Sequence, residues 1–393
     1  MNKLDPTHKS DHAVPYFPAL AVFAVSRIVM LLALAFANQF LAINTAATTW
    51  DATPRWYRYL LRYDSGWYFG IAQHGYSYNG NDLVQQPVAF YPLYPILIKA
   101  LTLVGFSYAA AAVLIPNVAI IAALMVLTKL ICELCDDETA LISVALLSFF
   151  PASLFFSAAY TESLALLFIV CFFLYLIRGR FLVAACFAGL CFATRSTGLV
   201  LIAPLIWEIA RRYWRTERRR FFLEGLFCVI IATAGLWLYM IYLWIAFRAP
   251  LAFVMAQAAW NAGNVFGSPF LLQPFVRAAA DARYHIQHAI LDTNSLSLVL
   301  FLIFVAVIIA FRRQMSAAML LFSAGVLLLP YFTRSGSVGF ASFSRYIMLA
   351  FPVFMVVGNF CRRRVWLALT ICGVSGALLF VCTALFAKWY WVG

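Results

Sequence analysis

Apolar stretches alternate with short polar breaks along almost the whole chain. The runs cover roughly 16–43, 108–131, 139–158, 161–177, 181–194, 197–210, 222–247, 295–311, 315–330, 346–360 and 365–387. Each is near the ~20 residues that a helix needs to cross a bilayer, or somewhat short of it. Backbone polar groups inside hydrocarbon must be bonded within their own segment, so such runs predict helices. The segment 88–104 is different, because Pro92, Pro95 and Lys99 suit an amphipathic helix lying in the interface better than a crossing one. The pattern predicts an all-α polytopic membrane protein of about eleven transmembrane helices, with 1–393 forming a single domain.

Composition removes the alternatives. The 393 residues are 65% hydrophobic and 11% charged, whereas soluble chains carry about 25% charged residues. A soluble enzyme, a secreted disulfide scaffold and a disordered tail are excluded. The first apolar run is long and has no small-residue cleavage site, so it reads as an uncleaved span. The nine cysteines lie in apolar runs or beside basic connectors and imply no disulfide framework. Cys132 and Cys135 have C-x-x-C spacing, but no second pair or nearby His completes a zinc site.

The balance of 28 Lys+Arg against 15 Asp+Glu gives a net charge of +13. Thirteen of the basic residues fall in four connectors: Arg178/Arg180, the block from Arg211 to Arg220, Arg312/Arg313 and Arg362–Arg364. The positive-inside rule puts all four in the cytoplasm, together with the N-terminus. The excess is therefore an orientation signal, and no nucleic-acid partner is expected.

With these connectors inside, the remaining polar segments collect outside. They are a first extracytoplasmic loop (44–105), a second (248–295), the turns at Tyr160–Ser163 and Arg195–Gly198, and the segment Tyr331–Tyr346. Two stretches, 139–177 and 181–210, must each hold two helices in little length. Their polar turns stop short of the membrane surface, which is tolerated only where protein or water surrounds them, so a cavity open to the outer face is implied. Glu162 and Arg195 sit in those turns, where an ionisable group costs several kcal/mol unless it is partnered or functional. In the first loop, RYDSGWYFGIAQHGYSYNG (62–80) packs aromatics around Asp64. Trp and Tyr suit both an interfacial belt and stacking on a sugar face, and an Asp at the lip of a cavity can act as general base on a hydroxyl. Asp281, His285 and His288 fall at helical spacing, like a metal face, but the stretch reads as an amphipathic juxtamembrane helix, and no metal site is expected.

Five segments follow in order: YDSGWYFGIAQHGY (63–76), AFYPLYPILI (89–98), FFPASLFFSAAYTESLALLF (149–168), ATRSTGLVLIAP (193–204) and SFSRYIMLAFPVF (342–354). The set resembles the PIG-V-type mannosyltransferases, the eukaryotic enzymes that add the second mannose of the GPI anchor and their shorter bacterial relatives, within the GT-C glycosyltransferases. The resemblance implies a GT-C-type bundle whose long first extracytoplasmic loop contains juxtamembrane helices. It implies transfer of mannose, with inversion, from polyprenyl-phosphate-mannose to an acceptor hydroxyl of a glycolipid or glycan on the extracytoplasmic face, amid membrane lipids. Asp64 matches the first-loop acid of the class and is assigned as general base. Arg195 and Arg345, with Arg334 third, are the candidates for the donor phosphate, because a guanidinium fork donates to two oxygens at once. Trp67, Tyr68, His74, Tyr91, Tyr160 and Glu162 are the candidates for substrate contact, with Glu162 orienting Arg195 or holding an acceptor hydroxyl. No cofactor is implied beyond the lipid-phosphate sugar itself, and a divalent ion is left open.

The chain is shorter than the eukaryotic enzymes, and it has no Asn-x-Ser/Thr sequon. Both points favour a bacterial inner-membrane protein and an envelope glycolipid or polysaccharide as acceptor over a GPI precursor. Other accounts of the same residues stay open: a snorkelling Arg345, a structural Glu162–Arg195 pair, an interfacial His74. For the whole chain they include a flippase or transporter of lipid-linked sugars and a non-catalytic subunit of a glycosylation complex.

Overall fold

The computed structural model describes residues 13–44, 56–216, 220–260, 293–338, 340 and 342–392, with short pieces at 274–276, 279–280 and 283. In chain order the helices are α1 (Tyr16–Phe40), α2 (Ser65–His74), α3 (Leu93–Leu103), α4 (Tyr108–Leu134), α5 (Asp137–Ser148), α6 (Glu162–Ile177), α7 (Phe181–Thr194) and α8 (Ile202–Thr216). They continue as α9 (Arg220–Phe247), α10 (Ala252–Met255), α11 (Thr293–Phe311), α12 (Ala317–Val338), α13 (Phe343–Ile347), α14 (Phe351–Cys361) and α15 (Val365–Ala387). No strand occurs among the described residues. The apolar runs of the sequence are mainly helical, and among the described residues five helices, α1, α4, α9, α11 and α15, are long and apolar enough to cross a membrane. Of the shorter apolar helices, α6 is buried along nearly its whole length.

The run 139–158, expected as one span, is broken. Helix α5 stops at Ser148, and Pro151–Phe156 forms a 3-10 turn instead. Pro151 lacks an N–H and biases Phe150 away from helical geometry (ψ 140°). Carbonyls freed by the break need donors, since water is scarce at this depth. Arg27, in the middle of α1, supplies them: its guanidinium reaches Ser148 O (3.1 Å), Ser153 O (2.9 Å) and the Ser153 and Ser157 hydroxyls (2.8 and 3.1 Å). From α4, Asn117 Nδ2 adds a bond to Ser157 O at 3.0 Å. The buried break is what ends the chain's path at Tyr160–Glu162, below the surface.

The segment 88–104 does lack the length to cross. Its helix α3 has 11 residues, about 16 Å at 1.5 Å per residue. It is fixed by a second proline effect. Pro116, inside α4, cannot donate to Ala112 O, and the Tyr94 hydroxyl of α3 donates there instead, at 2.5 Å.

Strict alternation then sets the polarity of the bundle. Helix α6 runs from Glu162 towards Arg178, α7 returns to Arg195, and α8 leaves again towards Arg211 and Arg212. Helices α11, α12, α14 and α15 alternate likewise, so the four basic connectors lie at one end and the turns bearing Asp64, Glu162, Arg195 and Arg345 at the other. Helices α7 and α9 approach closely enough that a Cβ on Gly235 would sit 2.2 Å from Gly189 O, the small-residue contact that membrane helices favour.

Candidate active site

Asp64 stands at the N-terminus of α2 and makes no capping bond to its own helix. The preceding turn is held from outside. Arg62 O accepts from the Ser65 hydroxyl (2.7 Å) and from the Tyr160 hydroxyl (3.0 Å), and Tyr63 adopts a left-handed φ of 52°. With its capping role unused, the Asp64 carboxylate faces Arg345, from α13, with Nη1–Oδ2 at 3.1 Å.

Glu162 opens α6 and ties the remaining charges together. Its Oε1 lies 2.8 Å from Arg195 Nη1 and 3.6 Å from Arg345 Nε. Glu162 is 1% exposed, whereas the Asp64 side chain keeps 24% of its surface open. Two arginines and two carboxylates thus form a neutral buried cluster, the arrangement in which buried charges are tolerated. Burial alone would make the Arg345 guanidinium a stronger acid; the Glu162 and Asp64 carboxylates outweigh it and hold the group firmly cationic. Aromatic faces complete the box, with Phe155, Tyr160 and Trp391 each between 5.1 and 5.2 Å from the Arg345 guanidinium carbon, and Tyr346 4.9 Å from that of Arg195. Tyr68 stays a neutral hydroxyl, because burial, then the Asp64 and Glu162 carboxylates, push it up.

The placement of Arg195 depends on one glycine. Gly198 donates its N–H back to Arg195 O at 3.1 Å, and a Cβ there would lie 2.4 Å from the Phe192 backbone. Only glycine lets the Thr-Arg-x-x-Gly turn fold against α7 in this way.

All four charged residues line one cavity of about 910 Å³. One wall is polar: Asp64, Tyr68, Tyr91, Tyr160, Thr161, Glu162, Thr194, Arg195 and Arg345. The lining also has an apolar part, which includes the exposed Leu199, Val254 and Met255 together with Leu329 and Pro330. A space that presents two arginine guanidiniums beside apolar side chains suits an amphiphile with an anionic head. The cavity implied by the cramped turns is therefore present, and Asp64, Arg195, Arg345, Tyr68, Tyr91, Tyr160 and Glu162 meet in it. Trp67 stands behind the wall, stacked on Phe90 (5.8 Å) and edge-on to Trp260 (5.6 Å), both of which line the space. His74 is exposed at the end of α2 and does not line it. Arg334 belongs to α12, but its side chain is outside the described residues. Asp281, His285 and His288 are likewise outside them. Among the described residues no group of three or more His, Cys, Asp or Glu could hold a metal ion. The nine cysteines are free, Cys132 and Cys135 among them.

The family model for mannosyltransferase (PIG-V) matches residues 21–264, more than half of the chain. This chain belongs to the PIG-V mannosyltransferase family. The PIG-V match contains Asp64, Glu162 and Arg195; Arg345 and Trp391 come from beyond it. Among solved structures the chain is similar to ArnT from Cupriavidus metallidurans bound to undecaprenyl phosphate (12% identity, TM-score 0.51, 94% of this chain and 75% of that one), and to the same protein in its apo state (12%, 0.50, with the same coverage). It also matches the Archaeoglobus fulgidus oligosaccharyltransferase in its apo form at 13% identity and a TM-score of 0.47, over 96% of this chain and 57% of that one. No curated protein sequence matches the chain. Family and apolar helices make this chain an integral-membrane member of a glycosyltransferase family, with a fold like that of ArnT.

Several cavity residues had no signal in the sequence. Phe253, Gln257 and Trp260 reach it from α10 and the 3-10 turn after it, and Gln257 Nε2 donates to Ala89 O at 2.9 Å, joining the second loop to the first. Asp82 and Tyr346 also line it. Arg27 was legible in principle as a charge inside an apolar run, but its partners lie more than 100 residues away.

Proposed function

We propose that the protein transfers mannose from polyprenyl-phosphate-mannose to a hydroxyl of a glycolipid or glycan acceptor, with inversion at the anomeric carbon. The observation that carries this is the meeting of Asp64, Arg345 and Arg195, joined through Glu162, in one cavity whose lining also includes exposed apolar side chains. In this reading the polyprenyl chain lies along Leu199, Val254, Met255 and Leu329, and its phosphate faces the two arginines. ArnT, of similar fold, has been captured with undecaprenyl phosphate, a lipid of that class.

The acceptor hydroxyl gives its proton to Asp64 as its oxygen attacks the anomeric carbon from the face opposite the phosphate. The bond from that carbon to the phosphate oxygen breaks, and the phosphate departs with the electron pair. Arg195 and Arg345 stabilise the leaving charge, so no strong acid is needed. Asp64 suits the base because it is the most open member of the charged cluster. Glu162 Oε1 holds both arginines, and its Oε2, without a hydrogen-bond partner among the described residues, is left for an acceptor hydroxyl. Tyr160, Tyr68 and Tyr91 supply faces and hydroxyls for the sugars. No cofactor enters, because the lipid phosphate is itself the activated donor. The basic connectors at the far end of the bundle support an extracytoplasmic cavity, with the N-terminus in the cytoplasm of a bacterial inner membrane.

The test uses the purified protein in lipid nanodiscs with labelled polyprenyl-phosphate-mannose and a membrane extract, wild type beside Asp64→Asn. Wild type is expected to label an acceptor and Asp64→Asn to lose about 10²- to 10⁴-fold of that rate, the range that a positioned base contributes. Equal rates would remove Asp64 from its role. Movement of the lipid across the bilayer with no labelled product would instead identify a flippase, and neither activity a non-catalytic subunit.

A further inference from the structure

The turn that carries Asp64 is built against a part of the chain more than 320 residues away. The segment after α15, from Lys388 to Val392, folds back across it. Arg62 Nε donates to Ala387 O (3.3 Å), and its guanidinium lies over the Trp389 ring at 4.7 Å. On the other side, Asn44 donates to Lys388 O (2.9 Å) and, through Nδ2, to Trp389 O (3.1 Å). Tyr63, whose left-handed φ is strained for an aromatic residue, is surrounded by rings from this end of the chain: Phe386 at 6.0 Å, Trp389 at 5.3 Å and Trp391 at 4.8 Å, the last nearly perpendicular at 78°.

Trp391 has a second contact that the other two lack. Its ring lies 5.2 Å from the guanidinium carbon of Arg345, the residue paired with Asp64. One indole therefore touches both neighbours of the Asp64 carboxylate: the residue before it in the chain and the arginine across from it. Contacts of this kind orient an arginine as well as attract it, because the cation prefers the ring face. Neither Trp391 nor Arg345 falls within the segment matched by the family model.

We propose that Trp391 is a positioning residue for the Asp64–Arg345 pair: it wedges between Tyr63 and Arg345 and fixes the angle at which the base faces the cavity. The role rests on the mannosyl-transfer reading for its effect on rate, but not for its effect on geometry. Removing the ring lets Tyr63 relax from its strained conformation and lets Arg345 turn, which moves the Asp64 carboxylate without removing any group that touches substrate. Misplacement of a base by about 1 Å lowers turnover by up to about 10²-fold and leaves ground-state affinity little changed.

The experiment compares wild type, Trp391→Ala and Trp391→Phe in nanodiscs, with two readouts. The first is steady-state transfer. Trp391→Ala is expected to lose about 10- to 10²-fold in kcat with donor KM within about twofold, and Trp391→Phe, which keeps a face, to recover most of the loss. The second needs no substrate: modification of Asp64 by a water-soluble carbodiimide with glycine ethyl ester, read by peptide mass spectrometry, with Asp82 as internal reference. Asp64 is expected to react several-fold faster in Trp391→Ala, and Asp82 at an unchanged rate. The proposal is overturned if Asp64 reactivity is the same in all three proteins, or if Asp64 and Asp82 accelerate together, which would mean general loosening. An unchanged kcat in Trp391→Ala overturns it as well. If wild type itself transfers no mannose, the mannosyl-transfer reading fails, and the carbodiimide comparison still decides whether Trp391 positions Asp64.

Discussion

At the scale of single residues, the site is a problem in buried charge. Arg195, Arg345 and Glu162 are nearly inaccessible, and each is tolerable only because the others are present. Glu162 is the common partner, so its loss leaves Arg195 without its carboxylate and Arg345 with Asp64 alone. Breaking a buried ion pair by removing one partner costs about 3–5 kcal/mol. Glu162→Ala is therefore expected to lower the detergent melting temperature by several degrees and abolish transfer, while Glu162→Gln recovers part of the stability by keeping a hydrogen-bond acceptor; a differential scanning fluorimetry series checks both. The same arithmetic explains how these residues were legible beforehand. An ionisable group in a turn too short to leave the membrane must be paired or functional, and Glu162 and Arg195 are at least paired. Asp64 was legible from its aromatic neighbourhood and its family motif. Arg345 was legible as a phosphate candidate from its own motif, but its pairing with Asp64 was not, because a contact across 281 positions leaves no periodicity.

At the scale of elements, breaks matter as much as helices. The Pro151 break leads to Glu162 and the Gly198 turn holds Arg195, both polar groups of the cavity, and the acceptor left by Pro116 inside α4 is filled by the Tyr94 hydroxyl, which ties α3 in place. On the opposite end, Asp136 shows how the connectors are tied. It caps α5 by accepting from Thr139 N–H at 2.8 Å and pairs with Arg362, joining the α4–α5 connector to the one between α14 and α15. Partial burial pushes the Asp136 carboxyl up, but the Thr139 bonds and Arg362 together hold it below the ordinary aspartate value. A depressed carboxyl stabilises the fold above its unfolded pKa and loses that contribution as pH falls through the folded one. Asp136→Ala should cost about 0.5–2 kcal/mol at neutral pH, the usual range for an N-cap. Thermal melts from pH 7 downward should show the gap between wild type and Asp136→Ala narrowing only below about pH 4, where aspartate begins to protonate.

At the scale of the whole molecule, charge separates the two ends. The chain alternates direction so that basic connectors collect at one end and the cavity opens at the other. The positive-inside rule turns that geometry into an orientation. In a background with the exposed Cys135 and Cys186 replaced by serine, a cysteine at Ser77 should react with an impermeant maleimide added outside spheroplasts, and one at Gln314 only after the membrane is opened. Labelling of both from outside, or of Gln314 alone, would reverse or break the assigned topology.

Much of this was determined by the sequence alone, for reasons that are local. Hydrocarbon forces backbone bonds to close within a segment, so apolar runs had to be helices, and the distribution of arginine had to mark one side. Ordered motifs made the family legible, and cramped polar turns implied a cavity. Three things were decided only by the tertiary structure. Segment 139–158 is not a single span, because Arg27, from a helix far away in sequence, satisfies the carbonyls of a break. The cavity receives Val254 and Met255 from the second loop, in a part to which the sequence assigned no role. Asp64 meets Arg345, and Trp391 meets Tyr63 and Arg345, only once α13 and the segment after α15 have packed against the first loop. Local chemistry fixes which groups must be buried or charged; which of them face one another depends on long-range packing, and that is where the arrangement of the site resides.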